Sequence, residues 1–103
     1  MIMVVGQVRF AAGEIERLRT RLNDWIEEAR RRDGCLSYHY TVDLSDPDLL
    51  HVVEAWRDEA AVEAHMTDMG ALMNALSGAQ LLSLSVKSYE ADYLKTLMGG
   101  DQP

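Results

Sequence analysis

The chain of 103 residues has one cysteine, two prolines and one phenylalanine. With Cys35 as the sole thiol, no intrachain disulfide and no thiolate metal cluster can form, which suits a reducing compartment. Cys35 follows Gly34 at an expected strand start, with nothing nearby in sequence to depress its pKa, and reads as a packing residue. No apolar run approaches the roughly 18 residues of a membrane span, and the first residues lack a basic n-region and a cleavage site. The expectation is a soluble, cytoplasmic protein. Positive charge is scarce too, with ten Lys and Arg against 17 Asp and Glu and a net charge of −7. Glu14 to Asp33 holds six arginines and six acids, leaving four bases against eleven acids elsewhere. A phosphate-tracking surface needs a basic excess, so nucleic acid is excluded as a partner. Arg30, Arg31 and Arg32 form no basic patch in this reading, because Glu27 and Glu28 stand four residues before Arg31 and Arg32, the favourable helical pairing. The three histidines lack the HxxxH or HxH spacing of a metal site, and there is no internal repeat.

What is present is hydrophobic periodicity. Ile2 to Arg9 reads as a first strand, apolar on both faces, with Ile2, Val4 and Val8 on one side and Met3 and Val5 on the other. From Gly13 to Asp33, Ile15, Leu18, Leu22, Trp25, Ile26 and Ala29 form one stripe along five helical turns, which Gly34 stops. Leu36 to Val42 is a second strand with Leu36, Tyr38, Tyr40 and Val42 on one face. The turn formers Asp43 to Asp48 make a hairpin to a third strand, Leu49 to Trp56. Asp58 caps the next helix, which breaks near Thr67 to Gly70, where Asp68 can cap a second short one. Gly78 closes the helical region, and Leu81 to Tyr89 is the last strand, with Leu82, Leu84 and Val86 on one face.

The order β-α-β-β-α-β is the split βαβ, or ferredoxin-like, arrangement: an α+β domain with both helices on one face of a four-stranded antiparallel sheet. The whole chain, 1–103, makes one domain with its core at about 2–90. The tail from Ala91 carries Tyr93, Leu94, Leu97 and Met98, too apolar to float free and able to lie across a partner. A first strand that is apolar on both sides would leave a bare second sheet face, and a second copy of the sheet is the simplest cover.

The corner from Leu49 to His65 gathers the chemistry. Glu54 and Trp56 share a strand face, and helical spacing turns His65 inward with Val62, Met66 and Met69. Each has a structural rival: Glu54 as a partner of backbone groups or an arginine, Trp56 as core, His65 as a histidine bonded to a carbonyl. His39 and His51 sit mid-strand and read as a cross-strand pair or as surface.

Asp33-Gly34-Cys35-Leu36-Ser37-Tyr38, Asp46-Pro47, Glu54-Ala55-Trp56 and Ala64-His65, in that order, resemble the antibiotic biosynthesis monooxygenase (ABM) family from about Met3 to Tyr89. The resemblance implies a homodimeric α+β barrel and oxygenation of a small phenol, quinol or anthrone-like polyketide by dioxygen, with no metal, flavin or other cofactor. It implies His65 as base or hydrogen-bonding partner, Trp56 as an aromatic wall and Glu54 as orienter, with Val62, Met66, Met69 and Tyr38 lining the substrate site. The Asn and Tyr pocket residues of characterised members have no clear match, so a non-catalytic dimer that binds a hydrophobic metabolite stays open as the alternative. Haem-degrading relatives place an axial histidine on the second helical segment, where Met73, Asn74, Ala75 and Leu76 offer none.

Overall fold

A computed structural model describes residues 1–76 and 78–100. Strand β1 spans Ile2–Phe10, helix α1 Glu14–Arg30, β2 Cys35–Asp43, β3 Asp46–Trp56, α2 Glu59–Thr67, α3 Met69–Ala75 and β4 Leu81–Glu90. The strands form one antiparallel sheet in the order β2-β3-β1-β4, the ferredoxin-like arrangement. Among the described residues, no helix is long and apolar enough to cross a membrane.

Helix α1 packs on β2 and β3, and all six residues of its stripe, Ile15, Leu18, Leu22, Trp25, Ile26 and Ala29, are buried. It ends at Arg30, four residues before Gly34, whose φ of 86° instead turns the chain into β2. The Gly34 carbonyl accepts from Arg57 N–H at 2.8 Å, so the turn is tied to the far end of β3. The pairing of Glu27 and Glu28 with Arg31 and Arg32 gives way to a longer reach: Arg32 meets Asp68 at 2.6 Å. Asp68 precedes α3 without capping it through its side chain, because that carboxylate is engaged by Arg32. Asp58 caps α2 as expected, accepting from Ala61 N–H at 2.9 Å.

Two bulges shift what strict alternation predicts. Cys35 pairs with Trp56 and Ser37 with Ala55, which pushes Leu36 off the face of Tyr38 and out to solvent. A second irregularity, between Arg9 and Phe10, sets Leu81 opposite Phe10 and leaves Leu82 outside. β3 also begins earlier than the sequence suggests, at Asp46, so Leu44 and Ser45 alone make the hairpin tip.

Register stacks the helix-facing side chains in rows: Ile2 with Trp56, Val4 with Glu54 and Tyr38, Gly6 with Val52 and Tyr40, Val8 with Leu50. Gly6 is required by β4, since a Cβ there would lie 2.6 Å from Val86 Cα. Strand β4 is thinly covered, and Leu84 and Val86, opposite Val8 and Gly6, stay largely exposed. On the other sheet face Val5, Val53 and Tyr89 are exposed, and beyond β4 so are Tyr93, Leu94, Leu97 and Met98.

Candidate functional site

A cavity of about 500 Å³ lies between the helix-facing side of the sheet and the α2–α3 pair, a volume in the range of small-molecule sites. Val4, Val8, Leu50 and Val52 form its floor, and Met66, Met69, Leu72 and Met73 its roof. Its walls are therefore apolar, with flexible thioethers on the helix side. Tyr40, Glu54 and His65 supply polar groups from β2, β3 and α2, and Ser85 and Lys87 from β4.

Glu54 projects from β3 in the row between Val4 and Tyr38 and is only 5% exposed. Its Oε1 accepts the indole N–H of Trp56 at 2.9 Å. Burial pushes its carboxyl above the usual carboxylate range, against the opposing pull of the hydrogen bond from Trp56. His65 descends from α2 onto the same region and is 2% exposed. Its ring stacks on Trp56 at 4.7 Å between centroids and stands near Trp25 and Tyr38 at 5.4 and 5.3 Å. Burial, and then the Arg32 guanidinium, hold its pKa down to about 4. His65 Nε2 and Glu54 Oε1 are 4.0 Å apart. That is too far for a hydrogen bond, and since burial favours the neutral form of each, the two do not act as an ion pair.

The same ring nitrogen of His65 meets the phenol of Tyr38, which is itself tied to Trp25 and Tyr40. Trp25 Nε1–H donates to Tyr38 Oη at 2.9 Å, and Tyr38 Oη stands 2.6 Å from Tyr40 Oη and 3.2 Å from His65 Nε2. Arg30 fixes this part of β2 by donating twice to the Tyr38 carbonyl, at 3.0 and 2.8 Å. Burial raises the pKa of both phenols, Tyr40 to about 12, so both keep their protons at neutral pH.

Of the sequence candidates, Glu54, His65, Met66 and Met69 face the cavity together. Trp56 and Tyr38 are fully buried behind it, and Val62 packs against the core without lining it. His39 and His51 lie elsewhere, on Arg30 and Asp43: His39 Nδ1 is 3.3 Å from an Arg30 nitrogen and His51 Nε2 is 2.7 Å from Asp43. Tyr40, which the sequence places only on a strand face with Tyr38, lines the cavity. Period-two alternation with Tyr38 is the only signal that could have pointed to it. Cys35 is half-buried, and burial raises its thiol pKa, in keeping with a packing role. Among the described residues, no three His, Cys, Asp or Glu side chains converge as a metal site.

A four-stranded antiparallel sheet with its helices on one face, and a largely apolar cavity between them that holds buried acid–base groups, defines a ferredoxin-like α+β domain. Within that class the chain belongs to the antibiotic biosynthesis monooxygenase family, whose model matches residues 1–68. A candidate antibiotic biosynthesis monooxygenase of Deinococcus radiodurans superposes with a TM-score of 0.87 at 28% identity, over 96% of this chain and 100% of its own. A Pseudomonas aeruginosa protein gives 0.76 at 26% identity, over 89% and 94%. A Mycobacterium tuberculosis protein, at 20% identity, shares the fold with a TM-score of 0.75 over 92% and 98%. Comparison with curated proteins finds no match.

Proposed function

We propose that the cavity receives a flat hydroxyarene, a phenol, quinol or anthrone-like polyketide, and that the protein promotes its oxidation by dioxygen without a cofactor, as a homodimer in the cytoplasm. The observation that carries this reading is a buried carboxyl with a raised pKa at the polar end of an apolar cavity. An electron-rich anion can itself give an electron to dioxygen, so the protein need only take a proton, hold the anion and exclude water. For an anthrone the overall change is balanced by one dioxygen: one oxygen atom enters the ring carbon as the quinone carbonyl and the other leaves as water.

Glu54 is the proton acceptor in this scheme. An imidazole held at about 4 and tied through Nε2 to Tyr38 is a weaker base than a free histidine, so His65 serves as the hydrogen-bonding partner that orders the tyrosines. Trp56 acts from behind, holding Glu54 Oε1 and stacking on His65. Oxygen uptake with a panel of quinols and anthrones tests the reading. Glu54→Gln is expected to lower kcat by about 10² to 10⁴, the usual worth of general acid–base catalysis. In the native protein kcat/KM should rise as pH passes through the raised Glu54 pKa, because the base acts when deprotonated. Binding of the same compounds without any oxygen consumption would favour the metabolite-binding alternative and end the oxygenase reading.

A further inference from the structure

The proton count around Tyr38 gives Tyr40 a direction. Trp25 Nε1 can only donate, so Tyr38 Oη accepts from it and has one proton to give, either to Tyr40 Oη or to His65 Nε2. Were it given to His65, the neutral ring would carry its own proton on Nδ1, which is buried and has no partner among the described residues. A buried N–H without an acceptor is an arrangement folded proteins rarely keep, whereas an unmet lone pair is better tolerated. Arg32 and His65 also line one cleft, and a guanidinium near the ring favours a lone pair over another N–H. The proton order that satisfies most groups therefore runs from His65 Nε2–H to Tyr38 and from Tyr38 to Tyr40. It leaves the Tyr40 O–H as a donor with no acceptor among the described residues, on the wall of the cavity it shares with Glu54.

We propose that Tyr40 binds the reacting oxygen of the ligand, its hydroxyl held as a donor by the ordered chain from His65 through Tyr38. The inference rests on the reading that the cavity takes a hydroxyarene. Tyr38 pairs with Glu54 and Tyr40 with Val52, so Tyr40 and Glu54 are diagonal neighbours on adjacent strands and line the same cavity. One ligand oxygen can thus pass its proton to Glu54 and, as it becomes an oxyanion, accept from Tyr40. A donor aimed at developing charge stabilises the anion more than the neutral acid. His65 and Tyr38 are positioning residues in this arrangement.

The test is the ionisation of bound 4-nitrophenol, whose phenolate is yellow, titrated by absorbance in the native protein, Tyr40→Phe and Tyr38→Phe. Tyr40→Phe should raise the pH at which the bound dye ionises by at least about one unit, a tenfold loss of preference for phenolate over phenol. Tyr38→Phe, which severs the chain without touching the cavity wall, should shift it the same way by less, and it carries the test alone if Tyr40→Phe fails to fold. An unchanged phenolate-to-phenol ratio in the folded variants overturns the proposal, as does failure of the native protein to bind any of a graded series of phenols. Because the readout is binding, it is separate from oxygenation: a native protein that shifts the dye but consumes no oxygen with the panel keeps Tyr40 and loses the monooxygenase reading.

Discussion

Burial moves His65 and Glu54 in opposite directions, and each movement leaves its own trace in pH. The His65 pKa falls from 6.5 to about 4 on folding, so its contribution to stability is present above 6.5 and is lost as the pH drops toward 4. The full linkage is worth up to about 3 kcal/mol at 1.36 kcal/mol per pH unit. Glu54 has the other sign: its raised carboxyl favours the folded state at low pH, and that contribution fades as the pH climbs through its folded pKa. Comparison with His65→Gln, which keeps an N–H for Tyr38 and cannot titrate, isolates the histidine. The melting temperature of the native protein should fall more steeply than that of the variant between pH 6.5 and 4, while the two curves run parallel above 7. Parallel curves over the whole range would mean that the ring is not held neutral by its surroundings.

At the scale of elements, β1 and β4 are locked by the absence of a side chain at Gly6. A methyl group there meets the Ser85 and Val86 backbone, which cannot yield as a side-chain tip could. Gly6→Ala should cost about 3 kcal/mol, at the upper end for overpacking, and a urea melt would measure it; a cost under about 0.5 kcal/mol would mean that β4 slides away freely. Elements with one strong period were legible in the sequence. The α1 stripe is the clear case, because a seventeen-residue helix has room to repeat its pattern and no tertiary competitor. The bulge at Leu36 was not legible, since an extra residue alters the face of its neighbours without altering the alternation of residue types. Tyr38 and Tyr40 differ for a similar reason. Both face the helices by period two, and only the register, which sets Tyr38 in the Glu54 row and Tyr40 one row further along, decides which is sealed in and which meets the cavity. Glu54 and His65 could be picked out because a carboxylate and an imidazole inside apolar patterns need a reason to be there. Their protonation states depend on burial that no pattern encodes.

At the scale of the whole molecule, the sheet has one side beneath helices and one that leaves Val5, Val53 and Tyr89 exposed. Val5 and Val53 are direct partners in the β1–β3 ladder, so they form a contiguous apolar spot rather than scattered residues. The exposed segment from Tyr93 to Met98 follows Ala91, whose N–H donates to Met1 O at 2.9 Å. A homodimer closing this face predicts that light scattering at micromolar concentration gives twice the chain mass and that Val5→Asp returns a monomer. A native monomer at that concentration would refute it.

The methionine roof carries a consequence for how such a protein ages. Met66 and Met73 line the cavity and are about half exposed, at 55% and 48%, so both side chains meet cavity and solvent. A reaction that reduces dioxygen sheds peroxide whenever an intermediate escapes, and thioethers beside the path are oxidised to sulfoxides. A sulfoxide is polar and stiff where the wall was apolar and compliant. Each leaked turnover would therefore leave a mark on the roof, lasting until a sulfoxide reductase removes it, and make the next substrate fit less well. Peptide mass spectrometry of protein that has worked, set beside protein kept with substrate under argon, should find the added oxygen on Met66 and Met73 in the first sample alone. Equal oxidation in both samples would mean that the wear comes from storage rather than from turnover.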